Sequence, residues 1–324
     1  MSEHFIKEIE IKNFKCFEDF KAEGFGRVNL IGGKNNIGKT ALMEAICINV
    51  YSESISLMTN VLSSPKLARD FLEIGYRYLS EAEKKEFLES IESYASVSNI
   101  NNVEFNIIEN NGIKEYSFHF GNKDIKVNIN DFSYEKSKKH NIKFLTQLGF
   151  TKNQLKQVFE SVQKKDAEDV LYKYINEFDK NILNFKIIGG DKPQCKVSNG
   201  DYRDINEFGD GLKHYISIIC SLYACENGYL FIDEIDNGIH YTQLERLWEI
   251  ILKISKQQNV QVFTTTHSKE CIEAFNRVQL KLEDTNSYYF EMAKNIKTDK
   301  IFMTQIDSEQ LEYELRNNER IRGE

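Results

Sequence analysis

Residues 33–40 read GKNNIGKT and match the phosphate-loop pattern G-x-x-x-x-G-K-[ST] at every constrained position. An apolar run at residues 28–31 precedes the pattern and a helical pattern follows it, so the loop is predicted to join a strand to a helix. In that setting backbone N–H groups surround the phosphates, Lys39 reaches the β and γ phosphates, and the Thr40 hydroxyl ligates Mg²⁺. The motif therefore predicts ATP, bound with Mg²⁺, as the ligand.

A second motif supplies two acidic residues. Residues 229–234 read YLFIDE, which is typical of a buried parallel strand whose carboxyl end faces a ligand. Asp233 is predicted to hold Mg²⁺, and Glu234 to orient and deprotonate the water that attacks the γ-phosphate. Residues 260–266 form another β-branched strand, and His267 after it is expected at the same sheet edge, close to the γ-phosphate. The alternatives are a core strand ending in solvated acids and a structural histidine.

Composition and charge limit the classes of protein to which this chain could belong. The chain has 324 residues, 41% hydrophobic and 28% charged, which is enough for two globular lobes. A net charge of −8 disfavours a surface that coats nucleic acid non-specifically. Six scattered cysteines without a C-x-x-C pair predict buried free thiols rather than disulfides or a zinc site. No apolar run approaches a membrane span and no secretory segment opens the sequence, so we expect a cytoplasmic protein without a membrane partner.

The pattern along the chain predicts three parts. Residues 1–50 form the first part of a nucleotide-binding head, residues 51–180 an inserted region, and residues 181–324 the second part of the head. Within the insert, residues 52–96 and 134–180 have helical spacing. Period-two alternation between them predicts an antiparallel meander of the strands VEFNII, EYSFHF and DIKVNI, and further strands are predicted at ILNFKII, QCKV and YRDI.

Three stretches resemble the ABC-type ATPases of the RecF, SMC and OLD group. They are residues 8–46, the segment LFIDEIDNGIH and the segment VFTTTHS. The resemblance implies an α/β P-loop NTPase fold of the ABC/SMC-head type, with two lobes of mixed and parallel β-sheets flanked by helices, plus the mainly helical insert. It also implies that two heads dimerise head to tail, each nucleotide lying between one phosphate loop and the partner's signature motif.

The resemblance adds one residue to the nucleotide site, because Lys15 matches a position where relatives carry a basic residue; a surface lysine is the alternative. The glutamine loop of the family has no recognisable match. With Glu234 and His267 as catalytic residues and Thr40 and Asp233 as metal ligands, the predicted nucleotide-binding set is Gly33, Asn35, Asn36, Ile37, Gly38, Lys39, Thr40, Ala41 and Lys15.

The same resemblance assigns residues that act across a dimer. Gly209, Asp210, Gly211 and Lys213 stand at the signature position, where their N–H groups would meet the γ-phosphate of the partner's nucleotide. Asp236 occupies the D-loop and is the candidate for coupling the two sites. A helix-opening turn and a solvated helix cap are the respective alternatives.

The resemblance implies an ATP-hydrolysing, dimerising switch used in DNA transactions or phage defence, acting with a separately encoded effector. A TOPRIM-type nuclease is the expected effector, since 57 residues after His267 are too few for a fused nuclease domain of that kind. A slowly hydrolysing, ATP-bound scaffold that holds such a nuclease is the first alternative. The nucleotide-binding subunit of a membrane transporter is the second, and the missing signature hydroxyl disfavours it.

Basic residues concentrate in the inserted region, at residues 136–143 and at Lys152, Lys156, Lys164 and Lys165. A solvated helix face is the simpler interpretation of such a run. Nucleic acid binding through phosphate contacts is the other, and it predicts an affinity that falls steeply with salt.

Overall fold

The computed structural model describes residues 5–50, 103–110, 113–120, 123–128, 141–147 and 149–317. We number the strands and helices of these ranges in chain order. The strands are β1 (Glu8–Phe14), β2 (Phe17–Glu23), β3 (Val28–Gly33), β4 (Val103–Asn110), β5 (Ile113–Phe120), β6 (Lys123–Asn128), β7 (Ile142–Leu145), β8 (Ile182–Ile188), β9 (Lys192–Val197), β10 (Tyr202–Asp204), β11 (Tyr229–Ile232), β12 (Gln261–Thr265), β13 (Ser287–Lys294) and β14 (Ile301–Ile306). The helices are α1 (Lys39–Val50), α2 (Lys152–Gln163), α3 (Glu168–Phe178), α4 (Asp210–Ala224), α5 (Leu244–Gln258), α6 (Lys269–Lys281) and α7 (Ser308–Arg316).

A six-stranded sheet of order β14-β13-β3-β12-β11-β7 organises the head. All neighbours pair in parallel except β13 and β14, which are antiparallel. Ile232 of β11 lies beside Thr264 of β12, and Thr265 lies beside Ile31 of β3. The carboxyl ends of the three central strands therefore meet at one edge of the sheet, which is where a parallel sheet binds its ligands.

Two hydrophobic cores cover the two faces of this sheet. Alternate residues of each strand point to opposite faces, so Leu230 and Ile232 pack with helices α4, α5 and α6 around Trp248. The other face meets the β1–β2 hairpin and α1. There the rings of Phe144, Phe231 and Phe263 stack across β7, β11 and β12, with centroids 5.8 and 5.6 Å apart. This aromatic ladder links the three strands on one face of the sheet.

The second boundary of the inserted region, predicted at residue 180, differs from the structure. Strand β7, which sequence spacing assigned to a helical stretch, is a short parallel strand beside β11. Helices α2 and α3 bury Leu155 and Leu171 in the same core as α4. The head therefore includes residues from 142 onward, and the predicted boundary at residue 180 falls inside it. The expected helices at residues 52–96 lie outside the described residues.

The other predicted strands are confirmed. β4, β5 and β6 form the antiparallel meander, and β8, β9 and β10 form a second antiparallel sheet. Five of the six cysteines are buried free thiols as expected, whereas Cys16 is exposed because it lies in the turn between β1 and β2. Within the described ranges, no helix combines the length and the apolar composition that crossing a bilayer requires.

A buried ion pair lies at the start of β3 and supports a prediction about stability. Arg27, just before β3, pairs with Asp284, both side chains being under 10% exposed, and its Nε donates to Ser255 Oγ at 3.2 Å.

Asp284→Ala leaves a buried guanidinium without its counter-charge, so we expect a loss of about 3–5 kcal/mol in unfolding free energy. Urea denaturation measures it. Glu312→Ala, which breaks an exposed pair in α7, should change stability by less than about 1 kcal/mol, and equal effects would contradict the prediction.

Candidate functional site

The phosphate loop joins β3 to α1 and requires backbone that glycine adopts most easily. Gly33 has φ +136° and Gly38 φ +106°, and Asn36 between them has φ +62°. A Cβ on Gly33 would stand 2.5 Å from the Met292 carbonyl oxygen, and one on Gly38 would stand 2.6 Å from the Cys16 Sγ. The two glycines therefore let β13 and the β1–β2 turn pack directly against the loop.

Lys39 is held inside this loop. Its side chain is buried, and Nζ donates hydrogen bonds to the carbonyl oxygens of Gly33 at 2.7 Å and Lys34 at 2.9 Å. Burial lowers the pKa of Lys39, and the carboxylates of Glu234 and Asp233 oppose that shift. A cation desolvated among carbonyl groups and close to carboxylates is well placed to receive an anion, because phosphate oxygens can replace the carbonyl contacts.

Thr40 and Asp233 come together as the sequence predicts. The Thr40 Oγ1 lies 3.2 and 3.1 Å from the two carboxylate oxygens of Asp233, which follows β11. A hydroxyl and a carboxylate are hard oxygen donors of the type that Mg²⁺ prefers. This pair therefore fits the metal that the motifs imply.

Two threonines at the end of β12 position the acidic loop, and sequence analysis assigned neither of them a role. Thr265 Oγ1 donates to Asp233 Oδ1 at 2.7 Å and accepts the Glu234 N–H at 2.9 Å. Thr266 Oγ1 donates to Asp236 Oδ1 at 2.6 Å. In the sequence, the run of three threonines before His267 was the signal for these contacts. Only the pairing register of β11 and β12 shows which hydroxyl contacts which acid.

Glu234 and His267 also lie together. The His267 Nδ1 is 3.5 Å from Glu234 Oε1, and both side chains remain partly accessible. Glu234 has a left-handed backbone with φ +53°, which is uncommon for a residue with a side chain and is found most often at functional sites. Its side chain lines a cavity above the phosphate loop.

A cavity of about 580 Å³ opens above the loop, large enough for a nucleotide. Asp233 and Glu234 line one side, and Lys15 lines it together with Glu44 of α1, whose buried carboxylate pairs with the Lys15 ammonium. Gly33 shapes the loop without lining this cavity, and Ile37 faces a neighbouring cavity beside the β1–β2 hairpin. The phosphate loop contributes Asn35, Asn36, Gly38, Lys39, Thr40 and Ala41.

Gln147, which follows β7, lines the same cavity. Its carbonyl oxygen accepts a hydrogen bond from Asn237 Nδ2 at 2.6 Å, so it is tied to the loop that carries the acids. Gln147 is the structure's candidate for the glutamine loop that the sequence could not place. Its position depends on the pairing of β7 with β11, which no local pattern encodes.

The predicted signature residues lie elsewhere, and none of them lines this cavity. Gly209 and Asp210 are exposed at the start of α4. Gly211 is buried, and a Cβ there would stand 2.0 Å from the Gly238 carbonyl oxygen. The first turn of α4 therefore rests on the Gly238 backbone in the D-loop of its own chain, and its N-terminal end is exposed.

Comparison with known proteins identifies the family. Residues 28–273 match the model of a family described as "AAA domain, putative AbiEii toxin, Type IV TA system". The chain belongs to this AAA-domain family. A Helicobacter pylori protein named ATP/GTP phosphatase is 27% identical to it over an alignment of 336 residues, which covers 84% of this chain and 88% of that protein.

Shorter similarities connect this AAA-family head to the RecF and SMC group, as the sequence predicted. It is 44% identical over 46 residues to the DNA double-strand break repair Rad50 ATPase of Archaeoglobus fulgidus, covering 14% of this chain and 5% of that protein. It is 44% identical over 50 residues to the DNA replication and repair protein RecF of Bacillus cytotoxicus, covering 15% and 13%. The solved structure of an Smc head bound to the C-winged helix domain of ScpA aligns with a TM-score of 0.52 at 11% identity, covering 94% of this chain and 98% of that one. The α/β P-loop NTPase fold of the SMC-head type is confirmed.

Three basic residues in α2 or just after it, in the AAA-family head, are engaged locally. Lys152 pairs with Asp204 at 3.4 Å, Lys156 donates to the Gly190 carbonyl oxygen at 2.5 Å, and Lys165 pairs with Glu226 at 2.6 Å. These contacts favour a solvated helix face over a phosphate-binding surface. Of the other basic cluster, residues 136–143, Lys143 lies in β7, and residues 136–140 lie outside the described residues.

The threonines of β12 allow a matched pair of substitutions. Thr265→Val removes the hydroxyl that holds Asp233 and the Glu234 N–H, so we expect about 1–3 kcal/mol lower stability and a roughly 10–100-fold loss of ATP hydrolysis. Thr264→Val is the control, because its buried hydroxyl makes no hydrogen bond within the described ranges and should be dispensable. Thermal unfolding and phosphate release measure both variants. Similar behaviour of the two would show that the Thr265 hydroxyl does not position the acids.

Proposed function

We propose that this AAA-family head is a Mg²⁺-dependent ATP hydrolase that closes into a head-to-tail dimer around ATP and acts as a switch for a partner. The observation that carries the proposal is the meeting of Thr40 with Asp233 at one sheet edge. Glu234 and His267 form a second pair there, with His267 Nδ1 3.5 Å from Glu234 Oε1. One pair suits a metal-bound triphosphate and the other suits an attacking water. The relative named ATP/GTP phosphatase supports hydrolysis as the activity.

Each side chain has a defined part in this mechanism. The N–H groups of the phosphate loop and the Lys39 ammonium hold the β and γ phosphates and stabilise the charge that shifts toward the leaving oxygen. Thr40 and Asp233 would hold Mg²⁺, which would neutralise phosphate charge. Glu234 accepts the proton of the attacking water, and His267 keeps its carboxylate oriented and contacts the γ-phosphate. Lys15, which pairs with Glu44, adds a positive charge to the lining of the cavity.

The positions of the signature residues support the proposed dimer. The exposed end of α4 cannot serve the cavity of its own chain, whereas a second head packed against that edge would place Gly209 and Asp210 over the nucleotide. Lys213 is half-buried in the same turn. Its charge would act on the partner's phosphates in place of the signature hydroxyl that this chain lacks. Smc heads are known to bind another protein, ScpA. By analogy, the ATP-closed dimer exposes a surface for an effector.

We infer a role in DNA transactions or phage defence from the same similarities. Rad50 and RecF are named for DNA repair and replication, and the family description names a toxin of a toxin–antitoxin system. A separately encoded TOPRIM-type nuclease is the proposed effector. The alternative is a slowly hydrolysing, ATP-bound scaffold that holds such a nuclease. Phosphate release with and without DNA separates the two: stimulation supports the switch, and a nearly inert site supports the scaffold.

Binding and hydrolysis should separate by substitution. Lys39→Ala removes the charge that holds the phosphates, so we expect at least tenfold weaker ATP binding, whereas Glu234→Gln should bind ATP normally and lose 100-fold or more in turnover. Isothermal titration and phosphate release measure the two effects. Lys34→Ala is the control, because Lys34 is exposed in the same loop and contributes only its carbonyl oxygen. Normal turnover of Glu234→Gln would remove Glu234 as the base.

Association should require both ATP and the signature turn. With hydrolysis blocked by Glu234→Gln, ATP should convert the protein into a dimer that light scattering detects. Adding Lys213→Glu should raise the dissociation constant tenfold or more, since it places an anion beside the partner's phosphates. The same reversal at Lys253, exposed on α5, should have little effect. A mass that does not change with ATP would reject nucleotide-driven dimerisation.

A further inference from the structure

Glu44 is a buried carboxylate inside the proposed nucleotide site, and sequence analysis assigned it no role. It lies on α1 with 1% of its surface exposed, one helical turn after Thr40, so the two side chains lie on the same side of the helix. Both residues line the cavity above the phosphate loop. Burying a carboxylate destabilises a fold unless a counter-charge accompanies it, and an anion beside bound phosphates repels them. A carboxylate at this position therefore needs a functional explanation.

Its counter-charge is Lys15, which belongs to the turn between β1 and β2. The Lys15 ammonium pairs with the Glu44 carboxylate and lies 5.7 Å from the centroid of the Phe14 ring. Lys15 also lines the nucleotide cavity. An ammonium has three N–H donors, so it can bind a carboxylate and a phosphate oxygen at the same time.

The backbone of Lys15 has a conformation that lysine rarely adopts. Phe14 pairs with Phe17, so Lys15 and Cys16 alone form the hairpin turn. Lys15 has φ +50°, whereas hairpin turns that need a positive φ at their first residue are usually built with Gly, Asn or Asp there. Turn chemistry therefore does not explain the lysine, and a strained residue beside a ligand cavity points to a role for its side chain.

The same turn packs tightly against the phosphate loop. A Cβ on Gly38 would stand 2.6 Å from Cys16 Sγ and 3.3 Å from Phe17 Cζ, and Phe17 is buried. The backbone of the turn is thus fixed relative to the loop. The long side chain of Lys15 is the part that could still rotate, and its ion pair with Glu44 restrains it.

We propose that Glu44 is a positioning residue that holds the Lys15 ammonium in the cavity, where it contacts a phosphate oxygen of the bound nucleotide. Fixing a lysine side chain costs rotamer entropy. Because the ion pair restrains Lys15 before the nucleotide arrives, less of that cost falls on binding. In the bound state Lys15 bridges Glu44 and the phosphate, and so adds a second ammonium to that of Lys39. The inference rests on the proposed nucleotide site.

The charge of Glu44 makes this role distinguishable from a purely electrostatic or structural one. Glu44→Gln removes a negative charge near the phosphates, which by itself would strengthen ATP binding. If Glu44 positions Lys15, the same substitution weakens ATP binding, because the ammonium is no longer held in place. When Lys15 is absent, only the repulsion is left, and the effect of Glu44→Gln on affinity should disappear or change sign.

The test is a double-mutant cycle of Lys15→Met and Glu44→Gln in the full chain. Isothermal titration with Mg²⁺ and a non-hydrolysable ATP analogue gives the affinities, and thermal unfolding checks that each variant is folded. We expect each single substitution to weaken binding roughly tenfold or more. Added to Lys15→Met, Glu44→Gln should leave binding unchanged or strengthen it. Glu249→Gln is the matched control, because Glu249 pairs with Arg246 and Lys281 away from the cavity, and its affinity should stay within about twofold of wild type.

The outcomes separate this inference from the proposed function. A folded Glu44→Gln that binds the analogue as tightly as wild type, or that weakens binding equally with and without Lys15, overturns the positioning role alone. If Glu44→Gln does not fold, Glu44→Asp replaces it, because it keeps the charge but shortens the side chain. Its affinity must then fall only when Lys15 is present, and an unchanged affinity overturns the role. A wild-type chain that does not bind the analogue overturns the nucleotide site itself.

Discussion

The parallel, in-register pairing of β3, β12 and β11 is the constraint on which the site depends. It aligns three strand ends, so that Thr40, Thr265 and Asp233 lie within hydrogen-bond distance although they are far apart in sequence. A slip of one residue would exchange the two faces of a strand. Phe231 would leave the aromatic ladder and Leu230 would enter it, and Asp233 would turn away from Thr40. The hydrophobic cores that lock the register therefore also fix the geometry of the acids.

That geometry brings like charges together. Asp233, Glu234 and Asp236 follow one strand within four positions, and their repulsion would spread an unsupported loop. Two threonine hydroxyls from β12 and the ammonium of Lys39 oppose this repulsion. The left-handed backbone of Glu234 is the remaining strain, and the surrounding hydrogen bonds sustain it.

Much of this architecture could be predicted from local patterns. The phosphate loop, the acidic strand, the meander β4–β6 and the β8–β10 sheet all carry short-range signals that the structure reproduces. The features that the sequence did not predict depend on pairing between segments that are far apart in the chain. The four residues of β7 are too few to distinguish a strand from a helix, and Gln147 gains its position only through β11. Likewise the contact of Gly211 with Gly238 has no sequence pattern, because a glycine needed for close approach looks like a glycine needed for a turn.

The neighbours of β3 have a consequence for how the protein is made. Both strands that flank it, β12 and β13, come from the last third of the chain. A ribosome adding 5–20 residues per second needs roughly 10–50 seconds to reach them after completing the phosphate loop. During that interval an apolar strand that ends buried on both faces has no partner in the sheet. Nucleotide cannot assist the early chain, because the acids that complete its site have yet to be synthesised. The sheet around β3 therefore cannot form before β12 and β13 have been synthesised, and the nascent N-terminal segment is exposed to aggregation until then.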